Sequence, residues 1–220
     1  MNELPVFPLT IVVFPGMTVP LNVFETRYKR LIQETEKMAE PKFIIALPAS
    51  TKSKEVPTTP STTGMVIDVL HTETNDDGTI SLFGHGTQRS KLTYTRSIDV
   101  PEPGGAARTL WYATAEPWPL ERSDPNEERV AAWDTLEAFE AYGDAFFAPN
   151  AREQAKSSVP EDLLYQASFV CANLHLPIEN AQHLFEATSL VDRFKRAQEA
   201  IQQRLAAVDA QATLGQRGDA

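Results

Sequence analysis

The chain has 220 residues, 42% of them apolar, and a formal net charge of −10. That supplies apolar material for a buried core but not the clustered Lys and Arg that phosphate backbones demand, so nucleic acid is not an expected partner. The single cysteine, Cys171, excludes an intrachain disulfide framework and a multi-cysteine metal site. No apolar run approaches the roughly 18 residues of a membrane span, and Met1-Asn2-Glu3 opens the sequence without a basic-then-apolar leader. A soluble, cytoplasmic protein without membrane contact is expected.

The first 28 residues contain two short apolar runs, Leu4 to Leu9 and Val13-Phe14, punctuated by Pro5, Pro8, Pro15 and Pro20. Proline cannot donate to a sheet ladder, so these runs predict edge strands or strands interrupted by bulges, with Phe14-Pro15-Gly16 as a turn. Phe24 to Ala39 places Tyr28, Leu31, Ile32 and Thr35 on one face at helical spacing. Phe24 is expected to anchor this helix to the sheet. Strands are predicted within 6–14, 43–47, 64–70, 79–83, 91–98 and 110–115, each bounded by Gly, Pro, Asn or Asp. Asn75-Asp76-Asp77-Gly78 reads as a hairpin turn, and Gly84-His85-Gly86 as a bulge or turn. Residues 48–63, nearly all Pro, Ser, Thr and Lys, predict an exposed mobile loop, either a plain connection or a flap over a groove.

After Trp118 the pattern turns helical. Ser123-Asp124-Pro125 supplies capping oxygens, and Val130, Trp133, Leu136, Phe139 and Tyr142 follow at intervals of three. Ser158 is expected to cap a second helix striped by Leu163, Ala167, Val170, Cys171 and Leu174. Pro177 opens a short third one carrying Ala181, Leu184 and Phe185. Leu190, Phe194, Ala197, Ile201, Leu205 and Val208 mark a long last helix, with a tail expected to fray from about Thr213. Before residue 120 the chain carries 11 basic and 13 acidic residues, and after it 9 and 17. The acidic excess of the second half reads first as a solvated helical surface, and more sharply as attraction for a basic polypeptide.

Taken together, Leu4-Pro5-Val6-Phe7-Pro8-Leu9, Val13-Phe14-Pro15-Gly16 and Val19-Pro20-Leu21-Asn22-Val23-Phe24-Glu25-Thr26-Arg27-Tyr28 resemble the start of the amino-terminal substrate-recognition domain of the ATP-dependent protease Lon. Val159-Pro160-Glu161-Asp162-Leu163-Leu164, Leu174-His175-Leu176-Pro177, Gln182-His183-Leu184-Phe185-Glu186 and Val191-Asp192-Arg193-Phe194 extend the likeness to its helical part. Gly86 to Leu92 sits where the family has Gly-x-x-Arg-Phe, with Ser90 in place of Phe. The resemblance implies an α+β fold. An amino-terminal PUA-like β-barrel or sheet with one helix, over 1–118, is followed by a carboxy-terminal α-helical bundle over 119–220. It also implies a stand-alone, noncatalytic module that binds unfolded or extended polypeptides in an adaptor-like role in protein quality control.

The residues themselves nominate no catalytic group and no cofactor. There is no Gly-x-x-x-x-Gly-Lys-Ser/Thr phosphate loop, and His71, His85, His175 and His183 lack metal-ligand spacing, so no metal is expected. Lys156 beside Ser157 and Ser158 is no dyad by adjacency alone, and Cys171 lies on an apolar stripe as a core thiol. Candidate peptide-binding residues are Arg27, which pairs with a carboxylate, caps sheet carbonyls or reaches a peptide, and Trp111 and Trp118, which would line a groove for apolar side chains near the proline-rich connector. Trp133 is assigned to the core. The alternative function is a hydrolase or small-ligand protein with an unrecognised site on the same fold, which would show as a pocket with converging titratable groups.

Overall fold

A computed structural model of the chain describes residues 3–48 and 59–218, with backbone alone for 209 and 211–218. Most of the predicted exposed loop, 49–58, lies outside the described residues. The chain divides into two compact units, Met1–Pro119 and Leu120–Ala220.

The first unit contains β1 (Glu3–Pro8), β2 (Thr18–Val23), α1 (Thr26–Thr35), β3 (Lys42–Ala46), β4 (Thr63–Thr74), β5 (Ile80–Pro101) and β6 (Ala107–Pro117). The sheet order is β2-β5-β4-β3-β1-β6, and an additional β5–β6 pairing joins its far end back to β5. Five strands therefore close into a ring, β1-β3-β4-β5-β6, which removes their edges. The 22-residue length of β5 makes closure possible: Ile80–Lys91 pairs with β4, and Ser90–Pro101 with β6.

Two strands predicted at 79–83 and 91–98 are thus one. The Gly84-His85-Gly86 segment does not turn. Instead Val66↔Gln88 steps to Ile67↔Gly86, leaving Thr87 as a bulged extra residue that lets the strand bend and continue. Gly84 is required by close approach, since a Cβ there would meet Ile67 Cγ2 at 2.4 Å. The Asn75–Gly78 turn forms as expected, with Gly78 at φ 75° and its N–H donating to Asn75 O at 2.9 Å. Phe14-Pro15-Gly16 also turns, with Gly16 at φ 88° and Met17 N–H donating to Phe14 O at 3.1 Å.

The proline-broken β1 is not an edge strand, contrary to the reading of its prolines. It pairs with β6 through Glu3–Val6 and with β3 through Val6–Pro8. The two ladders overlap only at Val6, so Pro5 falls outside the β3 pairing and Pro8 outside the β6 pairing. Pairing ends at Pro8, and the predicted extension of the strand to Phe14 does not form, although Val13 and Phe14 are buried in the irregular segment that follows. The core brings together Val6, Ile44, Ala46, Val66, Leu92 and Ala113. Ser90 is fully buried and accepts from Gln88 Nε2 at 2.9 Å.

α1 buries Tyr28, Leu31, Ile32 and Thr35, the predicted face, and Phe7 stacks on Tyr28 with ring centroids 3.9 Å apart. Burial pushes the Tyr28 hydroxyl up to about 12. Phe24 is not the anchor: it precedes the helix and is 67% exposed, while Tyr28 and Phe7 hold the helix to the sheet.

The second unit contains α2 (Pro125–Phe146), α3 (Pro149–Ser157), α4 (Leu163–Asn173), α5 (Ile178–Phe185) and α6 (Leu190–Gly218). Asp124 caps α2 by accepting from the N–H groups of Asn126 and Glu127. The buried face of α2 is Glu128, Ala132, Thr135, Phe139, Tyr142 and Gly143. Spacings of four and three keep to one side of a 3.6-residue helix, whereas repeated steps of three drift round it. Trp133 is therefore exposed, at 73%, and the core assignment made from the interval-of-three stripe fails for it.

α3 was unexpected and buries no residue, so it leaves no apolar stripe in the sequence. Ser158 is the C-cap of α3, and Asp162 instead caps α4, accepting from Leu164 and Tyr165 N–H. The α4 stripe holds, with Ala167, Val170, Cys171 and Leu174 buried, as do Leu184 and Phe185 on α5. On α6, Leu190, Phe194, Ala197 and Ile201 are buried. The backbone of α6 stays helical to Gly218, past the point where fraying was expected.

Candidate functional site: an apolar platform beside an open strand edge

β2 is the one strand outside the closed ring, and among the described residues it pairs only with β5. The bond from Gly86 N–H to Met17 O, 2.9 Å, sets the phase of this pairing. It makes Thr18↔His85 a non-hydrogen-bonded pair, and alternation then gives the same status to Pro20↔Phe83 and Asn22↔Ser81. Residues in such pairs aim their own N–H and C=O away from the partner strand. The outer edge of β2 therefore offers the N–H groups of Thr18 and Asn22 and three carbonyls, with the central donor missing because residue 20 is proline. Proline on an edge blunts strand addition.

Non-hydrogen-bonded pairs bring side chains closest together, and Pro20 and Phe83 are such a pair on the solvent side of the sheet. Phe83 also opposes His71, where β4 carries a second bulge between Val69 and His71. The bulge breaks inside–outside alternation, so the successive residues Leu70 and His71 are both exposed. Phe83 is 46% and Leu70 63% exposed. Pro20, Leu70 and Phe83 thus form an apolar platform across β2, β5 and β4. Alternation alone nominates none of them, because the bulge and the register decide which face they occupy.

Arg27 is held by the protein itself. Its Nε donates to Glu25 Oε2 and one terminal nitrogen to Thr109 O, each at 3.1 Å, with the guanidinium 4.4 Å from the Tyr28 ring centroid. It ties the start of α1 to β6, the carboxylate-pairing and carbonyl-capping arrangement named among its expected roles. Glu102, in the turn between β5 and β6, accepts from Thr26 and Arg27 N–H at 3.1 and 3.2 Å and so supplies the helix N-terminus with a distant cap.

Trp111 is partly buried against the barrel core and meets Tyr94 edge-on at 5.9 Å. Trp118 lies under Arg89, whose guanidinium is 4.0 Å from its ring centroid, with Lys91 Nζ at 4.9 Å. Arg89 also donates to the carbonyls of Trp118, at 2.7 Å, and Pro119, at 3.1 Å. The two indoles are seven residues apart along an extended segment, about 23 Å at 3.3 Å per residue. Trp111 packs with Tyr94 and the barrel core and Trp118 with Arg89 and Lys91, so the two make separate contacts. Arg27 bonds the carbonyl of Thr109, two residues before Trp111 on β6.

The side of the barrel also carries a hollow of about 790 Å³ lined by Glu3, Glu40, Lys42, Thr87 and Gln88 among others. Its charges are engaged: Glu3 with Arg96 at 2.6 Å and with the Thr95 hydroxyl, and Lys42 with Glu40 at 2.8 Å. No group of three or more His, Cys, Asp or Glu side chains suited to a metal occurs among the described residues. Lys156 pairs with Glu140 at 3.3 Å, and Ser157 donates to Gln154 O at 3.0 Å. Cys171 is buried, and burial pushes its thiol up to about 12, far from nucleophilic use.

A closed β-barrel with one capping helix, followed in sequence by a helical bundle, defines the class as a mixed α+β fold. Residues 3–203 match the family described as the ATP-dependent protease La (LON) substrate-binding domain, and the chain belongs to that family. Among solved structures it is similar to the N-terminal domain of the Mycobacterium avium complex Lon protease, at a TM-score of 0.66 and 14% identity over 91% of this chain and 98% of that one. It is also similar to a Lon N-terminal domain protein from Xanthomonas campestris, at a TM-score of 0.54 and 20% identity over 94% of this chain and 98% of that one. Comparison with curated protein sequences finds no match. At these identities the two structures speak for the fold. No helix among the described residues is long and apolar enough to cross a membrane.

Proposed function

We propose that the protein is a noncatalytic cytoplasmic module that binds unfolded or extended polypeptides, in an adaptor-like role in protein quality control. The carrying observation is the platform of Pro20, Leu70 and Phe83, an exposed apolar surface beside an edge whose strand-pairing capacity Pro20 has reduced. Unfolded chains display apolar side chains that folded ones bury, and such a surface selects for them. Binding through side chains on the sheet face, more than through backbone pairing at the edge, fits the missing donor at Pro20. Family membership supports a polypeptide ligand. Arg27, Trp111 and Trp118 stand in this reading as secondary contact points.

The test is fluorescence anisotropy of a labelled, permanently unfolded polypeptide titrated against wild type, Phe83→Ser and Leu70→Ser, with Trp111→Ala, Trp118→Ala and Arg27→Ala in parallel. Loss of affinity in the two platform variants, with unchanged circular dichroism, is expected. Full affinity in both would remove the platform. Equal binding of the folded and unfolded forms of one protein would remove the proposed selectivity.

A further inference from the structure

Between α2 and α3 lies a cleft of about 370 Å³ that the platform reading does not use. Its floor is Leu136, Phe139, Phe147 and Val159, with Trp133 and Glu137 also in the lining. Gly143 makes room for the floor: a Cβ there would sit 3.3 Å from Phe147 Cδ2. α3 covers the cleft without burying a residue of its own and is held to α2 by two exposed ion pairs, Arg152–Asp144 at 2.7 Å and Lys156–Glu140 at 3.3 Å. Such pairs hold an element weakly. Along α2, Val130 at 60% and Trp133 at 73% exposure lead into Glu137 and Glu140 at helical spacing, one continuous strip that runs to the cleft.

The charges choose the occupant. Both lining cations, Arg152 and Lys156, are paired, and among the described residues Glu137 has no ion-pair partner. α2 carries six carboxylates, Glu127, Glu128, Asp134, Glu137, Glu140 and Asp144, against a single cation, Arg129. All except the buried Glu128 are exposed; of the charged side chains that line the cleft, Glu140 is offset by Lys156 and Arg152 by the adjoining Asp144, which leaves the charge of Glu137 uncompensated and favours a cationic flank over an anionic one. The exposed indole of Trp133, one helical turn from Glu137, adds a face for a cation to stack on. The volume, near the lower end of ligand pockets at about 300 Å³, suits one large apolar side chain.

We infer that the α2–α3 cleft is a second polypeptide-binding site, which takes one aromatic or branched aliphatic side chain flanked by lysine or arginine. The apolar side chain rests on Phe139 and Phe147, and the flanking cations meet Glu137 and Trp133. The site lies wholly within the helical unit and does not depend on the platform.

The probe is a heptapeptide with a central phenylalanine between two lysines, titrated into the ¹⁵N-labelled full chain while the indole N–H signal of Trp133, assigned with Trp133→Phe, is followed. The signal is expected to shift saturably. Replacing the lysines by glutamates, or Glu137 by Lys, is expected to weaken binding about two- to five-fold, the effect of one lost or reversed surface charge contact. Ala155→Trp, which fills the cleft, is expected to abolish the shift with circular dichroism unchanged. Phe83→Ser is expected to leave it intact, which separates this site from the platform. An unmoved Trp133 signal, equal affinity for the lysine and glutamate peptides, unchanged affinity in Glu137→Lys, or loss of the shift in Phe83→Ser would each overturn the proposal.

Discussion

Two aromatic residues on α2, six positions apart, carry opposite predictions. Phe139 is 5% exposed and sits among Phe147, Phe169 and Tyr142, with ring centroids at 5.9, 6.0 and 6.3 Å. Truncating it to Ala removes a buried ring and leaves a cavity that its aromatic neighbours only partly close, at a cost of about 3–5 kcal/mol. That is a large share of the roughly 5–15 kcal/mol of an ordinary domain. Trp133, 73% exposed, loses little area, and its Ala variant is expected to stay within about 0.5 kcal/mol of wild type. Guanidinium unfolding followed at 222 nm measures both. Phe139→Ala should lower the midpoint steeply at unchanged slope, and Trp133→Ala should superimpose on wild type. A Trp133→Ala loss above about 2 kcal/mol, or a Phe139→Ala loss below about 1, would refute the assignment of the buried face of α2.

Acid should act through Glu128, which is buried and accepts twice from Arg122 Nε, once from Arg122 Nη2 and once from Ser123 N–H. The Arg122 guanidinium holds its carboxyl below the usual carboxylate range, against the opposing effect of burial. A lowered native pKa gives stability that is complete above the unfolded value, about 4.3, and is lost as pH falls through the native one. Denaturation midpoints between pH 6 and pH 2.5 should therefore fall less in Glu128→Gln than in wild type, and parallel curves would show that Glu128 carries none of the acid sensitivity. Gly84→Ala forces a methyl into Ile67 Cγ2 at 2.4 Å and should destabilise the barrel by about 1–3 kcal/mol; a neutral result in thermal unfolding would mean that β4 and β5 separate more easily there than their packing indicates. Cys171, with its thiol raised to about 12 by burial, should react with a disulfide reagent only as fast as the helical unit opens. Reaction at the rate of a free thiol in native buffer would contradict its burial.

Which features of this chain are legible in its sequence follows from how local their causes are. The Asn75–Gly78 turn, the Gly16 turn and the Asp124 cap are set by residues within four positions of one another, and each formed where composition placed it. The buried face of α1 and the stripe on α4 were legible because apolar side chains at 3.6 periodicity have one way to face a core. α3 was invisible because a helix that buries nothing leaves no stripe. The inner position of β1 was hidden because the constraint proline imposes depends on where each ladder ends: Pro5 and Pro8 are tolerated since the two pairings overlap only at Val6.

The candidate site belongs to the non-local class. Leu70 and Phe83 sit in strands whose sequence alternation cannot say which residues face solvent once one strand gains a residue. Two bulges in the β4–β5 ladder and the length of β5 decide it. The same geometry gives the platform its character. Closing the ring satisfies the edges of five strands and leaves β2 as the outer strand, and the proline that blunts β2 stands directly opposite Phe83 in a non-hydrogen-bonded pair. An apolar surface beside an unprotected edge would invite pairing with any extended chain, other copies of itself included. Pro20 removes the central backbone donor while adding its ring to the surface, so in the proposed function recognition would rest on apolar side chains more than on backbone pairing.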